Sequence, residues 1–140
     1  MYFGVLGSRI GGSAWASDAH SPQNTLIAHA LRACYDVGVG GFYAEPIEQY
    51  VGTVTLTMTH CALHILWITG QLEAALNDWL QPSSIHSFVL SCLVRTKGSE
   101  ENNNSDEGVV GAFAAFAGSS EVDVRFTYSA LMILLMLHAQ

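Results

Sequence analysis

Phe126-Thr127-Tyr128-Ser129-Ala130-Leu131-Met132-Ile133-Leu134-Leu135-Met136-Leu137 is the stretch that decides how this chain folds. It is apolar on nearly every side of a helix, and a helix apolar all round reads as buried all round. It falls short of the ~20 residues that span a bilayer, and it carries Thr127, Tyr128 and Ser129. The expectation is therefore an inner helix of a globular domain. Leu56 to Ile68 is a second such segment, with Leu56, Leu63, Leu66 and Trp67 on one face and Ala62, Ile65 and Ile68 on another. Two further segments are one-sided. Ile27, Ala30, Leu31 and Cys34, and again Ile85, Phe88, Val89 and Cys92, recur at i, i+3, i+4 and i+7. Each opens behind a proline and a candidate cap: Pro22 with Asn24, and Pro82 with Ser83 or Ser84.

The order is amphipathic, buried, amphipathic, buried, and the connectors repeat as well. Gly40-Gly41-Phe42 follows the first helix and Gly111-Ala112-Phe113 the third. Thr59-His60-Cys61-Ala62 opens the second helix and Thr127-Tyr128-Ser129-Ala130 the fourth. Cys34 to Cys92 is a step of 58, Phe42 to Phe113 one of 71, and Thr59 to Thr127 one of 68. The second copy thus gains residues in its first connector, where residues 97–108 form a polar Gly/Ser/Asn-rich insertion that reads as a solvated loop. Paired outer and inner helices predict an all-α chain of about two repeats, an α-α solenoid or toroid. Residues 1–23 read as an N-terminal segment, with Met1 to Ile10 as the end of a preceding inner helix, and 24–140 as the repeats.

Composition narrows the function. Half the residues are apolar and only 12% are charged, against about 25% in an average domain. That excludes disorder for most of the chain and leaves little polar surface to cover it. The net charge of −7 offers no basic patch, which excludes a nucleic-acid footprint. Cys34, Cys61 and Cys92 are an odd number without CxxC spacing, which fits a reducing, cytoplasmic compartment. The N-terminus shows no signal-peptide pattern, and no membrane span is expected.

Several phrases resemble the β subunits of the protein prenyltransferases. Ile85-His86-Ser87-Phe88-Val89-Leu90-Ser91-Cys92 looks like the family's outer-helix signature, and Gly40-Gly41-Phe42 with Pro46 and Gln49-Tyr50 like the turn that follows it. Glu121-Val122-Asp123-Val124-Arg125-Phe126-Thr127-Tyr128 resembles the acidic-x-Asp-x-Arg-Phe opening of an inner helix. Thr57-Met58-Thr59-His60 with Ala62-Leu63 is most similar to the type I geranylgeranyltransferase version. The likeness covers residues 26 to 138.

The resemblance implies an α-α toroid whose inner helices line an apolar funnel and which pairs with a helical-repeat α subunit. It implies transfer of a geranylgeranyl or farnesyl group from an isoprenoid diphosphate to the cysteine of a C-a-a-X protein substrate. Zinc is expected for the complete family enzyme, holding the acceptor thiolate, and magnesium is a further cofactor the likeness allows. The site residues it implies are Arg125 and Tyr128, near the lipid, and Thr57, on the acceptor-peptide side. Read from the residues alone, Arg125 could equally pair with Asp123 or Glu121, and Tyr128 could be a core aromatic. Thr55 and His60 depart from the residues usual at their positions in the family.

Other patterns are weaker. His60 and His64 have zinc-compatible i, i+4 spacing, but the intervening residues give no His-Glu-x-x-His motif, so they read as core histidines. Gly38-Val39-Gly40-Gly41 lacks the preceding strand and the Gly-Lys-Ser/Thr of a phosphate loop. The Asp-x-Cys pair that supplies the family's zinc does not occur, so no catalytic residue and no metal ligand are assigned here. The expectation is a partial β subunit, inactive alone and with exposed apolar edges. A non-catalytic helical-repeat interaction module and a farnesyl or Rab-type β subunit stay open beside it. A triterpene cyclase piece ranks last, for want of that family's Gln-x-x-x-Gly-x-Trp repeats.

Overall fold

A computed structural model describes residue 12, residue 18 and residues 21–46, 52–94 and 111–139. The N-terminal helix end, the insertion at 97–108 and Gln49-Tyr50 lie outside the described residues. Helix α1 is Pro22–Arg32. A two-residue hairpin, β1 (Tyr35–Asp36) with β2 (Gly41–Phe42), leads to helix α2 (Leu56–Ile68). Helices α3 (Leu72–Asp78) and α4 (Pro82–Ser91) follow, then a second hairpin, β3 (Leu93–Val94) with β4 (Ala112–Phe113), and helix α5 (Val124–His138). Tyr35 pairs with Phe42 and Leu93 with Phe113, both antiparallel.

The repeat is therefore real in space, and its bonds are duplicated. The Tyr43 N–H donates to the Cys34 carbonyl and the Ala114 N–H to the Cys92 carbonyl, both at 2.9 Å. The Phe42 N–H donates to Thr59 Oγ1 at 3.1 Å, and the Phe113 N–H to Thr127 Oγ1 at 3.3 Å. Each inner helix thus clamps the hairpin before it through one threonine. The first hairpin is tightened by Asp36, whose carboxylate accepts from the Gly38 and Val39 N–H groups at 2.9 and 3.0 Å. Gly40 follows at φ +82°, a conformation that favours glycine. A Cβ there would overlap the Ser84 carbonyl, so hairpin and α4 meet at backbone distance.

The core is one cluster. Ile85, Phe88, Val89 and Cys92 of the α4 stripe are all buried, as their spacing predicts. They meet Leu56, Leu63, Leu66, Ala130 and Ile133 from the inner helices. Three expectations need correction. The cap of α1 is Ser21, whose side chain accepts from the Asn24 N–H, with Pro22 in the first turn; Asn24 itself is buried. At α4 the cap position falls on Gln81, whose side chain accepts from Ser84 Oγ and makes no capping bond to the backbone, so Ser83 and Ser84 lie inside the helix. And α5 is not buried all round: Ala130, Ile133 and Met136 are covered, while Val124, Tyr128, Leu131 and Leu135 are exposed. Hydropathy states what a residue tolerates, and burial needs a neighbour to supply it. Helix α3 is an addition to the pattern of four periodic segments. Among the described residues, no helix is long and apolar enough to cross a membrane.

Candidate functional site

The two inner helices begin alike. Thr55 caps α2 by accepting from the Met58 N–H at 3.2 Å, and Asp123 caps α5 by accepting from the Arg125 N–H at 2.7 Å. Each cap satisfies an N–H group that has no partner within the helix. Their first turns lie together, and Thr57, Arg125 and Tyr128 line one cavity of about 360 Å³ with Val124, Phe126 and Ser129. The three residues singled out from sequence are thus brought to one place.

Arg125 makes the ion pair with Asp123 that its position allows. Its guanidinium grips Asp123 through two bonds, Nε to Oδ1 at 2.9 Å and an η nitrogen to Oδ2 at 3.0 Å, while remaining largely exposed at the cavity. The Arg125 side chain and backbone bonds hold the Asp123 carboxyl below its ordinary range. Its guanidinium carbon lies 5.9 Å from the Phe126 ring, within cation–π range. Tyr128 stands edge-on to His60, ring centroids 5.5 Å apart. It is more exposed than a core tyrosine would be.

Behind Tyr128 runs a ladder of rings. His60 stacks on His64 at 5.6 Å and His64 on Trp67 at 5.5 Å. Burial, then the neighbouring His64, pushes the His60 pKa below its ordinary value, and burial does the same to His64. Both imidazoles are therefore neutral near pH 7, and the ladder is aromatic rather than charged. The sequence contained this signal: His60, His64 and Trp67 lie at i, i+4 and i+7 on one helix. A metal-ligand pattern stops at the two histidines, and Trp67 at the next step makes it an aromatic one.

A second cavity of about 630 Å³ lies between the α1 and α2 sides, bounded by Cys34, Phe42, Thr57, Met58 and Cys61. Its lining is mainly apolar, and Thr57 borders both cavities. Neither holds an activated thiol. Burial raises the pKa of Cys34 and Cys61, and pushes Cys92 up to about 11. Among the described residues, no three His, Cys, Asp or Glu side chains converge as a metal would require.

The geometry is thus a cation and a threonine that line one cavity with Tyr128, whose ring stands against His60. The family model of the prenyltransferase alpha-alpha toroid domain matches residues 1–140. No curated protein matches the chain.

Proposed function

The chain belongs to the prenyltransferase alpha-alpha toroid family, and from that premise we propose that it forms part of the lipid-lining wall of a protein prenyltransferase β subunit of the type I geranylgeranyl kind. The observation that carries this is the placement of Arg125 at one end of the ring ladder Tyr128, His60, His64 and Trp67. An isoprenoid diphosphate is an amphiphile with an anionic head and an unsaturated apolar tail. The guanidinium suits the head through charge-assisted hydrogen bonds, and the rings suit the tail. Asp123 holds the guanidinium in a fixed pose, which lowers the ordering cost on binding.

On this reading the acceptor is a C-a-a-X protein cysteine, the partner is an α subunit, and the setting is cytoplasmic. Zinc and magnesium would act in the complete enzyme through residues other than those described here. The chain's own share is to bind and orient the lipid, so it transfers no prenyl group by itself. The farnesyl or Rab-type subunit and the non-catalytic helical-repeat module are the second readings.

Binding of a fluorescent geranylgeranyl diphosphate analogue, followed by anisotropy, tests the proposal. Arg125→Gln should weaken it roughly 10- to 100-fold, the range of a hydrogen bond to a charged group. Trp67→Ala should also weaken it, and geranylgeraniol should be indifferent to Arg125. Equal affinity of Arg125→Gln and the parent would refute the assignment. Binding without any response at Trp67 or Tyr128 would favour the interaction-module reading.

A further inference from the structure

Ser120 stands in the loop that leads into α5. Residues 119–121 belong to no helix or strand, and Ser120 is exposed. The loop is nonetheless held on both sides of it. The Ser119 N–H donates to the Phe116 carbonyl and the Glu121 N–H to Ser119 Oγ, both at 3.1 Å, and Val122 is bridged to Ala114. The Ser119 hydroxyl is thus engaged by the loop itself. The Ser120 hydroxyl has no partner among the described residues.

The acids that follow are placed at particular steps. Glu121 comes one residue after Ser120 and Asp123 three. Of all the serines and threonines in the chain, Ser120 alone has a carboxylate three residues on. An exposed hydroxyl in irregular chain, followed by acids at those two steps, suits the basic substrate groove of an acid-directed serine kinase. The local charges decide what a phosphate there does. The bonds and charge of Asp123 raise the pKa of Arg125, and the charge of Glu121 adds to them, so the residue beside Ser120 lies within electrostatic reach of the guanidinium. The Arg125 side chain is 75% exposed, which leaves it room to turn. A phosphoserine carries about two negative charges and three acceptor oxygens at neutral pH, where Asp123 carries one charge. It is the stronger partner for a guanidinium.

We propose that Ser120 is a phosphorylation site for an acid-directed serine kinase, and that its phosphate draws the Arg125 guanidinium away from Asp123. The γ-phosphoryl group of ATP passes to Ser120 Oγ. The new O–P bond forms as the bond to the departing ADP oxygen breaks, and the hydroxyl proton goes to the kinase's base. The site itself is independent of the lipid reading. Its consequence rests on that reading: a phosphate that holds Arg125 removes the cation offered to the anionic head of an isoprenoid diphosphate, so the modification turns lipid binding down.

Incubating the full chain with a purified casein-type kinase and magnesium ATP is the test. Peptide mapping by mass spectrometry should place a phosphate on Ser120. Ser120→Ala should lose it, and Glu121→Gln should slow its addition several-fold. Phosphate confined to Ser99 or Ser105, or a chain that takes none, would overturn the proposal. Phosphorus NMR of the labelled chain then reads the pairing. The second ionisation of the phosphate, ordinarily near pH 6, should lie at least about half a unit lower in the parent than in Arg125→Gln. Equal values would overturn the pairing. Phosphorylation should also weaken binding of the fluorescent geranylgeranyl diphosphate analogue roughly tenfold, and an unchanged affinity would overturn the switch. A parent chain that never binds the analogue would sink the lipid reading alone, and the mapping and titration would still decide the site.

Discussion

Replacing Thr59 with valine should open the joint between hairpin and inner helix without changing its shape. Thr59 is fully buried, and its Oγ1 is the acceptor for the Phe42 N–H at 3.1 Å. Valine fills nearly the same volume but cannot accept, so the buried N–H loses its partner. Leaving a buried donor unsatisfied costs about 1–3 kcal/mol. With a urea dependence of about 2 kcal/mol per molar, the unfolding midpoint should fall by roughly 0.5–1.5 M. The duplicate joint calibrates the argument. Thr127 holds the Phe113 N–H at a longer 3.3 Å and is only half-buried, so water can replace the lost acceptor. Thr127→Val should therefore cost less, about 0.5–1 kcal/mol. Urea denaturation followed by circular dichroism gives the ranking. Amide exchange at Phe42 gives the cause, because Thr59→Val should strip its protection and Thr59→Ser should keep it. A Thr59→Val chain as stable as the parent, or a larger loss at Thr127, would refute the reasoning.

Gly40→Ala should be more damaging than a typical surface change. It forces a side chain into φ +82° and into the Ser84 carbonyl, so a loss above about 2 kcal/mol is expected by the same denaturation. The histidine pair should give stability an acid limb. Because burial lowers both folded pKa values, the unfolded chain binds protons first as pH falls below about 6.5. Stability should thus be complete above that pH, decline below it, and level off beneath the folded values. His60→Phe should shorten the limb, and an unchanged pH profile would count against it. Cys92, buried and raised to about 11, should react with Ellman's reagent at pH 8 only as fast as the chain unfolds, whereas faster labelling would contradict its burial.

What was legible in the chain follows from how local each cause is. The repeat could be read because its joints are made by single side chains at fixed steps. Thr59 and Thr127 hold equivalent N–H groups, and Cys34 and Cys92 sit where the hairpins close. Helix α2 could be placed because its apolar run is local, although its cap, Thr55, shows only in the structure. The hairpins could not, since two-residue strands carry no period. Helix α3 is seven residues long and opens without a side-chain cap, so it too left little local trace. Gathering Thr57, Arg125 and Tyr128 at one cavity required the likeness to known inner helices, because the repeat step aligns α2 with α5 but does not say which of their residues share a cavity.

The exposure of α5 is a third kind of case, in which the sequence carried true information about a surface that it could not locate. Its run from Phe126 to Leu137 has the composition of a helix enclosed on all sides, yet Leu131 and Leu135 face outward. Helix α2 resolves the discrepancy. At equivalent positions α2 is enclosed because another inner helix lies against it, and its apolar residues there are no more numerous than those of α5. Apolar composition therefore records the demand for a neighbour. Among the described residues, that demand is met at α2 by α5 lying against it. It follows that Leu131→Glu, at an exposed position, should leave the unfolding free energy within about 0.5 kcal/mol of the parent by urea denaturation. Were the residue part of the chain's core, the same change would cost several times that.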